Sequence, residues 1–118
     1  MITPHRILIA DDESLIRWSL GQALSQMGYE VFSVENGRKA VEAIERQTFD
    51  FIITDLMMPE LDGWKVLEAA QRTLPQPRVI IMTAHGKDFK KMAREKGAWA
   101  YVEKPYLAEK IQELLKLP

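Results

Sequence analysis

The chain has 118 residues, of which 47% are hydrophobic and 28% are charged, and its formal net charge is −1. A chain of this length can bury a single hydrophobic core, so we predict one domain spanning residues 1–118. The balanced charge gives no indication of nucleic-acid or membrane binding, and the absence of cysteine excludes a disulfide framework and thiol catalysis. No apolar run reaches the roughly 20 residues of a membrane-spanning helix, and no signal-peptide pattern is present, so we expect a cytoplasmic protein.

Five short apolar runs alternate with five amphipathic stretches along the chain. The apolar runs predict strands at 7–10, 31–34, 51–55, 79–82 and 99–102. Helical periodicity predicts helices at 14–27, 38–47, 64–73 and 107–117, with a weak basic helix between 84 and 97 whose apolar face consists only of Phe89, Met92 and Ala93. Gly28 and Gly97 are placed as left-handed caps of the first and fourth helices. Strands that alternate with helices indicate an α/β protein with a doubly wound, five-stranded parallel sheet.

Polar side chains follow four of these strands. Asp11 and Asp12 come after the first strand, Asp55 ends the third, Thr83 follows the fourth and Lys104 the fifth. The carboxyl ends of parallel strands meet at one edge of the sheet, so we expect these groups to share a pocket. An acidic site built of oxygen atoms suits Mg²⁺. A phosphoryl group there would meet the cation on one side and the Lys104 ammonium on the other, with Asp55 as the nucleophile.

Each of these features also has an ordinary structural interpretation. An adjacent Asp pair before a helix is commonly a turn and N-cap, and Thr83 could cap the fourth helix. Lys104 could be a solvated surface lysine and Tyr101 a core aromatic. Agreement among four strand ends favours the functional interpretation over these alternatives.

The motifs together resemble the response-regulator receiver domain of two-component signal transduction, of the chemotaxis and sporulation single-domain type. They are Asp11-Asp12, the block at 55–63 that reads DLMMPELDG, Thr83-Ala84, and the YVEKP run at 101–105. The resemblance covers essentially the whole chain. It implies a flavodoxin-like (βα)5 fold with strand order 2-1-3-4-5.

The same resemblance implies a role for each site residue. Asp55 is the phosphoacceptor of a signalling domain that is not an enzyme in its own right but assists its own phosphotransfer and dephosphorylation. Asp12, Asp55 and the Met57 carbonyl are implied ligands of Mg²⁺, and Asp11 assists through water. Thr83 and Lys104 are expected to contact the phosphoryl oxygens.

Further expectations concern the switch and the partners. Tyr101 is implied to turn inward when Thr83 moves toward the phosphoryl group, and the Lys104–Pro105 bond is expected to be cis. The implied partners are a histidine kinase or histidine phosphotransferase upstream and a protein target or phosphorelay protein downstream. Direct nucleic-acid binding is not expected, and a phosphorylation-dependent dimer is allowed. The output face is expected to be the fourth helix, fifth strand and fifth helix.

Three features leave alternatives open. The spacing from Thr83 to Gly97 is about one residue shorter than the common family pattern, so we predict a short or mobile fourth helix. Leu15 and Trp18 lie off the buried face of the first helix and either dock the phosphodonor or pack against a loop. His85 either shields an acyl phosphate from water or is simply exposed.

Other protein classes with a similar fold would require different residues at the strand ends. An aspartyl phosphatase of the haloacid-dehalogenase type needs a second acid two residues after its nucleophile, where this chain has Met57. A flavin carrier needs a Gly- or Ser/Thr-rich phosphate loop after the first strand, where this chain has acids at 11–13. A receiver cut from a longer DNA-binding regulator and a phosphorylation-independent interaction module are the remaining alternatives.

Overall fold

Five strands and five helices alternate in the computed structural model, which describes residues 5–104 and 107–117. The elements are β1 (Arg6–Ala10), α1 (Ser14–Gln26), β2 (Glu30–Val34), α2 (Gly37–Arg46), β3 (Phe51–Asp55), α3 (Gly63–Gln71), β4 (Arg78–Thr83), α4 (Lys90–Glu95), β5 (Ala100–Glu103) and α5 (Leu107–Leu115). Each predicted strand is present, with boundaries that differ by a residue or so.

The five strands form one parallel sheet in the order β2-β1-β3-β4-β5, which confirms the predicted topology. Every residue of β3 is buried, as are the last four of β1 and the last five of β4. These strands are covered on both faces, which explains why the sequence shows continuous apolar runs there and no alternation.

Two hydrophobic cores lie on opposite faces of the sheet. One packs the buried residues of α1 and α5 against the sheet, including Leu20, Leu24 and Ile111. The other packs α2 and α3, with contributions such as Ile44 and Leu67. The sheet is therefore doubly wound, and its carboxyl edge is left free of covering helices for a site.

Helix ends follow from local chemistry. Gly28 and Gly97 have φ angles of 96° and 92°, which confirms their prediction as left-handed caps. The side chain of Asn36 accepts a hydrogen bond from the Lys39 N–H at 2.8 Å and so caps α2. Asp62 caps α3 in the same way.

The fourth helix differs from its prediction. It is short, as predicted, but it begins only at Lys90 and has six residues, whereas 84–89 forms turns. Phe89 and Ala93 pack inward as predicted, but the prediction for Met92 is wrong because its side chain is 44% exposed. Ala93 takes the buried position of this six-residue helix, and Met92, about 100° around the helix axis from it, faces solvent.

None of the helices within residues 5–104 and 107–117 combines the length and apolar character that crossing a bilayer requires.

Candidate functional site

Four acidic side chains converge at the carboxyl edge of the sheet. Asp11 and Asp12 follow β1, Glu13 precedes α1, and Asp55 is the last residue of β3. One carboxylate oxygen from each lies within 4.8 Å of the others. We call these four carboxylates, together with Lys104, the acidic pocket. The sequence predicts that Asp11, Asp12 and Asp55 lie together, whereas it indicates Glu13 only by its place directly after the Asp pair.

Lys104 lies at the centre of the acidic pocket. Its Nζ atom is 3.0 Å from Asp11 Oδ2, 3.1 Å from Asp55 Oδ2 and 3.0 Å from Glu13 Oε1. Its backbone N–H donates to the Thr83 carbonyl at 2.9 Å, which fixes the start of the side chain at the strand end. The side chain is only 10% exposed, so it is not the solvated surface lysine of the alternative interpretation.

The ammonium remains charged despite its burial. Burial lowers the pKa of Lys104, but the neighbouring carboxylates of Asp11, Glu13 and Asp55 outweigh it and raise the pKa above its ordinary value of 10.5. Lys104 therefore neutralises part of the negative charge at any physiological pH.

Asp11 is the most deeply buried acid of the acidic pocket. It is fully buried, and its Oδ1 accepts a hydrogen bond from the Glu13 N–H at 2.8 Å. Its Oδ2 makes the ion pair with Lys104 but has no hydrogen-bond partner among the described residues. Burial raises the pKa of Asp11, and the charge of Asp55 acts in the same direction, against the opposing effects of the Glu13 N–H and Lys104.

The donor set of the acidic pocket fits a hard divalent cation. All of its candidate ligand atoms are carboxylate oxygens, Asp12 is exposed to solvent, and the buried Asp11 Oδ2 lacks a hydrogen bond. Four carboxylates share the acidic pocket with one ammonium, which contacts three of them, so the pocket carries excess negative charge.

Thr83 and Tyr101 are both attached to the loop at 84–89. Thr83 is buried, and its Oγ1 accepts a hydrogen bond from the His85 N–H at 3.0 Å. The Tyr101 hydroxyl donates to the Gly86 carbonyl at 2.6 Å and accepts from the Phe89 N–H at 3.4 Å. Burial raises the pKa of Tyr101. Because α4 begins only at Lys90, Thr83 is not its N-cap.

The remaining predicted residues are exposed or lie outside the described residues. Met57 is 57% exposed, and His85 is exposed with its ring edge-on to Phe89 at 5.8 Å between centroids. Leu15 and Trp18 are exposed on α1. The predicted cis bond of Lys104 involves a residue outside the described ranges.

The chain matches a known protein family over almost its whole length. The family model of the response regulator receiver domain matches residues 7–116. The chain belongs to this family. A receiver domain is the phosphoacceptor of two-component signal transduction, so this chain has a signalling role, and family membership does not favour a phosphorylation-independent module.

Relatives of this receiver include proteins of different length. This chain is 32% identical to sporulation initiation phosphotransferase F of Bacillus subtilis over 113 residues, which cover 95% of this chain and 91% of that protein. It is 38% identical to the DNA-binding transcriptional regulator NtrC of Escherichia coli over 101 residues. That match covers 85% of this chain but only 22% of NtrC.

Solved structures share the fold over almost the whole receiver. A CheY-like receiver domain protein from Methanospirillum hungatei superposes with a TM-score of 0.88 at 30% identity, covering 97% of this chain and 92% of that chain. The receiver domain of sensor histidine kinase PA1611 from Pseudomonas aeruginosa gives a TM-score of 0.84 at 26% identity, covering 96% and 95%. The latter structure contains a magnesium ion coordinated in its active-site cleft.

Proposed function

We propose that Asp55 is the phosphoacceptor of this receiver and that a phosphohistidine of a histidine kinase or histidine phosphotransferase is the donor. The observation that carries the proposal is the position of Lys104, whose ammonium contacts both Asp55 and Asp11 at about 3 Å. A cation held at the nucleophile can neutralise the negative charge of an arriving phosphoryl group.

In the proposed transfer, a carboxylate oxygen of Asp55 forms a bond to phosphorus while the P–N bond of the phosphohistidine breaks. The electron pair of that bond stays on the imidazole nitrogen, which takes up a proton, and Asp55 becomes an acyl phosphate. Lys104 exchanges one of its carboxylate contacts for a phosphoryl oxygen. Asp11, which is buried and fixed by the Glu13 N–H, holds Lys104 in place during this exchange.

The residues that would hold Mg²⁺ are Asp11, Asp12 and Asp55, with the backbone carbonyl of Met57. The all-oxygen donors and the buried Asp11 Oδ2 without a hydrogen bond support this assignment. When bound, Mg²⁺ would neutralise charge on the phosphoryl oxygens. The magnesium ion in the related Pseudomonas aeruginosa receiver domain is consistent with it.

The signal would leave the site through Thr83 and Tyr101. The Thr83 hydroxyl, which now accepts from the His85 N–H, would move to donate to a phosphoryl oxygen, and that movement would break one contact holding the loop at 84–89. That loop also anchors the Tyr101 hydroxyl through Gly86, so its displacement would free the tyrosine to turn inward. We assign Thr83 and Tyr101 as the switch residues on this connection.

The output surface would be the face formed by α4, β5 and α5. A groove of about 640 Å³ on this face is lined by residues that include Tyr101, Lys110 and Leu114. Its contact with Tyr101 supports a target site that responds to the switch. A downstream protein, a phosphorelay protein or a second copy of the phosphorylated receiver would bind there.

The phosphodonor would dock on α1. Leu15 and Trp18 are 73% and 65% exposed, and their spacing of three residues places them on the same side of α1, where they form an exposed apolar pair. They belong to the helix that begins directly after the acidic pocket. Their position suits the helices that would present a phosphohistidine to Asp55.

Met57 and His85 would influence the proposed autodephosphorylation, in which water hydrolyses the acyl phosphate of Asp55.

Acetyl phosphate tests the proposal without a protein donor. We expect the receiver to gain one phosphoryl group in the presence of Mg²⁺ and none in the presence of a chelator, as measured by intact-protein mass. Asp55→Asn should abolish the gain, because the amide cannot act as the nucleophile. Asp88→Asn is the matched control, since Asp88 is exposed on the loop before α4. Equal labelling of Asp55→Asn and the control would refute the assignment.

A further inference from the structure

The loop that follows the phosphoacceptor strand has an unusual backbone. It runs from Leu56 to Asp62, between β3 and α3, and includes Met57. Glu60 and Leu61 are non-glycine residues with φ angles of 52° and 88°, in the left-handed region. Two consecutive side-chain-bearing residues rarely adopt this conformation, so their surroundings must hold them in it.

Contacts from the start of α2 hold the loop at Glu60. The Asn36 Nδ2 atom donates to Glu60 Oε2 at 3.1 Å, and the Arg38 Nε atom donates to Glu60 Oε1 at 3.1 Å. Both carboxylate oxygens of Glu60 are thus bound by residues at the start of α2. We call the contacts of Asn36 and Arg38 with Glu60 the Glu60 bridge.

Asn36 is well placed to transmit a constraint. It is only 6% exposed, and its Oδ1 is already committed to the Lys39 N–H as the N-cap of α2. The orientation of its amide is therefore fixed by the helix, and the donor that reaches Glu60 has little freedom to move. An exposed salt bridge alone would hold the loop less firmly.

The backbone on either side of the Glu60 bridge is closely packed. A Cβ atom at Gly37 would overlap the carbonyl oxygen of Leu61, so α2 and the loop are too close together for a residue with a side chain at position 37. At the other end, the Gly63 N–H donates to the Leu56 carbonyl at 2.8 Å. The loop is therefore closed at its base and held at its tip, which leaves the segment with Met57 fixed between two attachments.

We propose that Asn36 is a positioning residue for the metal in the acidic pocket: through the Glu60 bridge it sets the conformation of the loop at 56–62 and hence the affinity for Mg²⁺. The inference rests on the proposed function, in which the Met57 carbonyl is a ligand. In the proposed function the β2–α2 turn does not contribute a side chain to the acidic pocket. The inference gives this turn a role in the binding of Mg²⁺ there.

The test compares one single variant with a double variant and a control. Asn36→Asp keeps the N-cap acceptor but places a carboxylate oxygen against Glu60, so the Glu60 bridge is broken by repulsion. Glu60→Gln in the same chain restores complementarity, because the glutamine amide donates to the carboxylate introduced at position 36 while its oxygen accepts from Arg38. Glu42→Gln is the control, since it removes the other carboxylate partner of Arg38, at 3.0 Å, and leaves Glu60 in place.

Mg²⁺ affinity is measured by titrating the ¹⁵N-labelled protein and following the amide chemical shifts of Asp55 and Gly63. We expect Asn36→Asp to weaken the affinity about tenfold, the double variant to restore it to within about threefold, and the control to match the wild type. An added negative charge would by itself attract Mg²⁺ more strongly, so weakening cannot come from the charge alone. At saturating Mg²⁺, Asn36→Asp should be labelled by acetyl phosphate at the wild-type rate.

Wild-type affinity in Asn36→Asp would overturn the inference, as would a loss that Glu60→Gln does not restore. If Asn36→Asp fails to fold, Asn36→Ser takes its place, because serine retains a capping oxygen and lacks the amide donor. Failure of the wild-type protein to bind Mg²⁺ would instead refute the proposed metal site itself, so the two failures are distinguishable.

Discussion

Replacing Lys104 with methionine should destabilise the receiver unless a divalent cation is present. The substitution removes the ammonium and keeps most of the unbranched side chain, so packing changes little. It leaves the carboxylates of Asp11, Asp55 and Glu13 without the cation that now lies 3.0–3.1 Å from each. Two of these acids are almost fully buried, and breaking a buried ion pair typically costs about 3–5 kcal/mol.

The expected loss is smaller than that range because the site borders on solvent. Glu13 is 60% exposed, so its contact contributes little, and water can enter to solvate the other carboxylates. We therefore expect the free energy of unfolding to fall by about 2 kcal/mol at neutral pH in a chelating buffer. Mg²⁺ should recover more stability in Lys104→Met than in the wild type, because the variant has the greater uncompensated charge.

The pH dependence of this loss has a definite sign. The pKa of Lys104 is higher in the folded protein than its ordinary value of 10.5. The contribution of Lys104 to stability is therefore complete below pH 10.5, and it is lost as the pH rises through the pKa of the folded state. Burial raises the pKa of Asp11, so its ionisation costs stability as the pH rises through that raised value. The difference in stability between variant and wild type should therefore shrink as the pH falls through the raised pKa of Asp11, because a protonated Asp11 no longer forms an ion pair with Lys104.

Urea unfolding followed by far-UV circular dichroism provides the measurement. The control is Lys110→Met, the same change at an exposed lysine of α5. Equal urea midpoints for Lys104→Met and Lys110→Met in chelating buffer would refute the electrostatic account of the acidic pocket.

Three further outcomes are expected. Replacing both Leu15 and Trp18 with alanine should slow phosphotransfer from a protein donor and leave acetyl phosphate labelling intact; equal loss of both activities would contradict donor docking on α1. Gly63→Ala should lower the free energy of unfolding by more than about 2 kcal/mol in urea titrations, because the new Cβ would overlap the Asp55 carbonyl oxygen. A midpoint unchanged from wild type would show that the close approach relaxes freely. Amide hydrogen exchange should be faster in α4 than in α1, since α4 has six residues and one buried side chain; equally slow exchange would show a firmly packed helix.

The fold was predictable because its signals are local and strong. The central strands are buried on both faces and therefore read as apolar runs, and the crossovers of a parallel sheet require helices between them. The convergence of Asp55 and Lys104 followed from the same topology, because each ends or follows a parallel strand. Thr83 ends the neighbouring strand, and its hydroxyl contacts the loop at 84–89. The strand order was supplied by the family resemblance and was confirmed.

Other features depend on three-dimensional contacts that residue type does not reveal. Glu13 joins the acidic pocket through contacts with residues distant in sequence, because a carboxylate oxygen lies within 4.8 Å of one from Asp55 and its Oε1 is 3.0 Å from Lys104 Nζ. Glu60 and Leu61 adopt left-handed conformations for which glycine would be expected, and the cause is the packing of α2 against them. The late start of α4 reflects turns at 84–89 whose contacts with Thr83 and Tyr101 replace a helical turn.

The central claim is that Asp55 carries the phosphoryl group. Borohydride reduces an aspartyl phosphate to homoserine, so peptide mapping of the reduced protein after treatment with acetyl phosphate and Mg²⁺ identifies the modified residue directly. We predict homoserine at position 55 and its absence when Mg²⁺ is chelated. Homoserine at another aspartate, or unmodified Asp55 in protein that has gained a phosphoryl group, would contradict it.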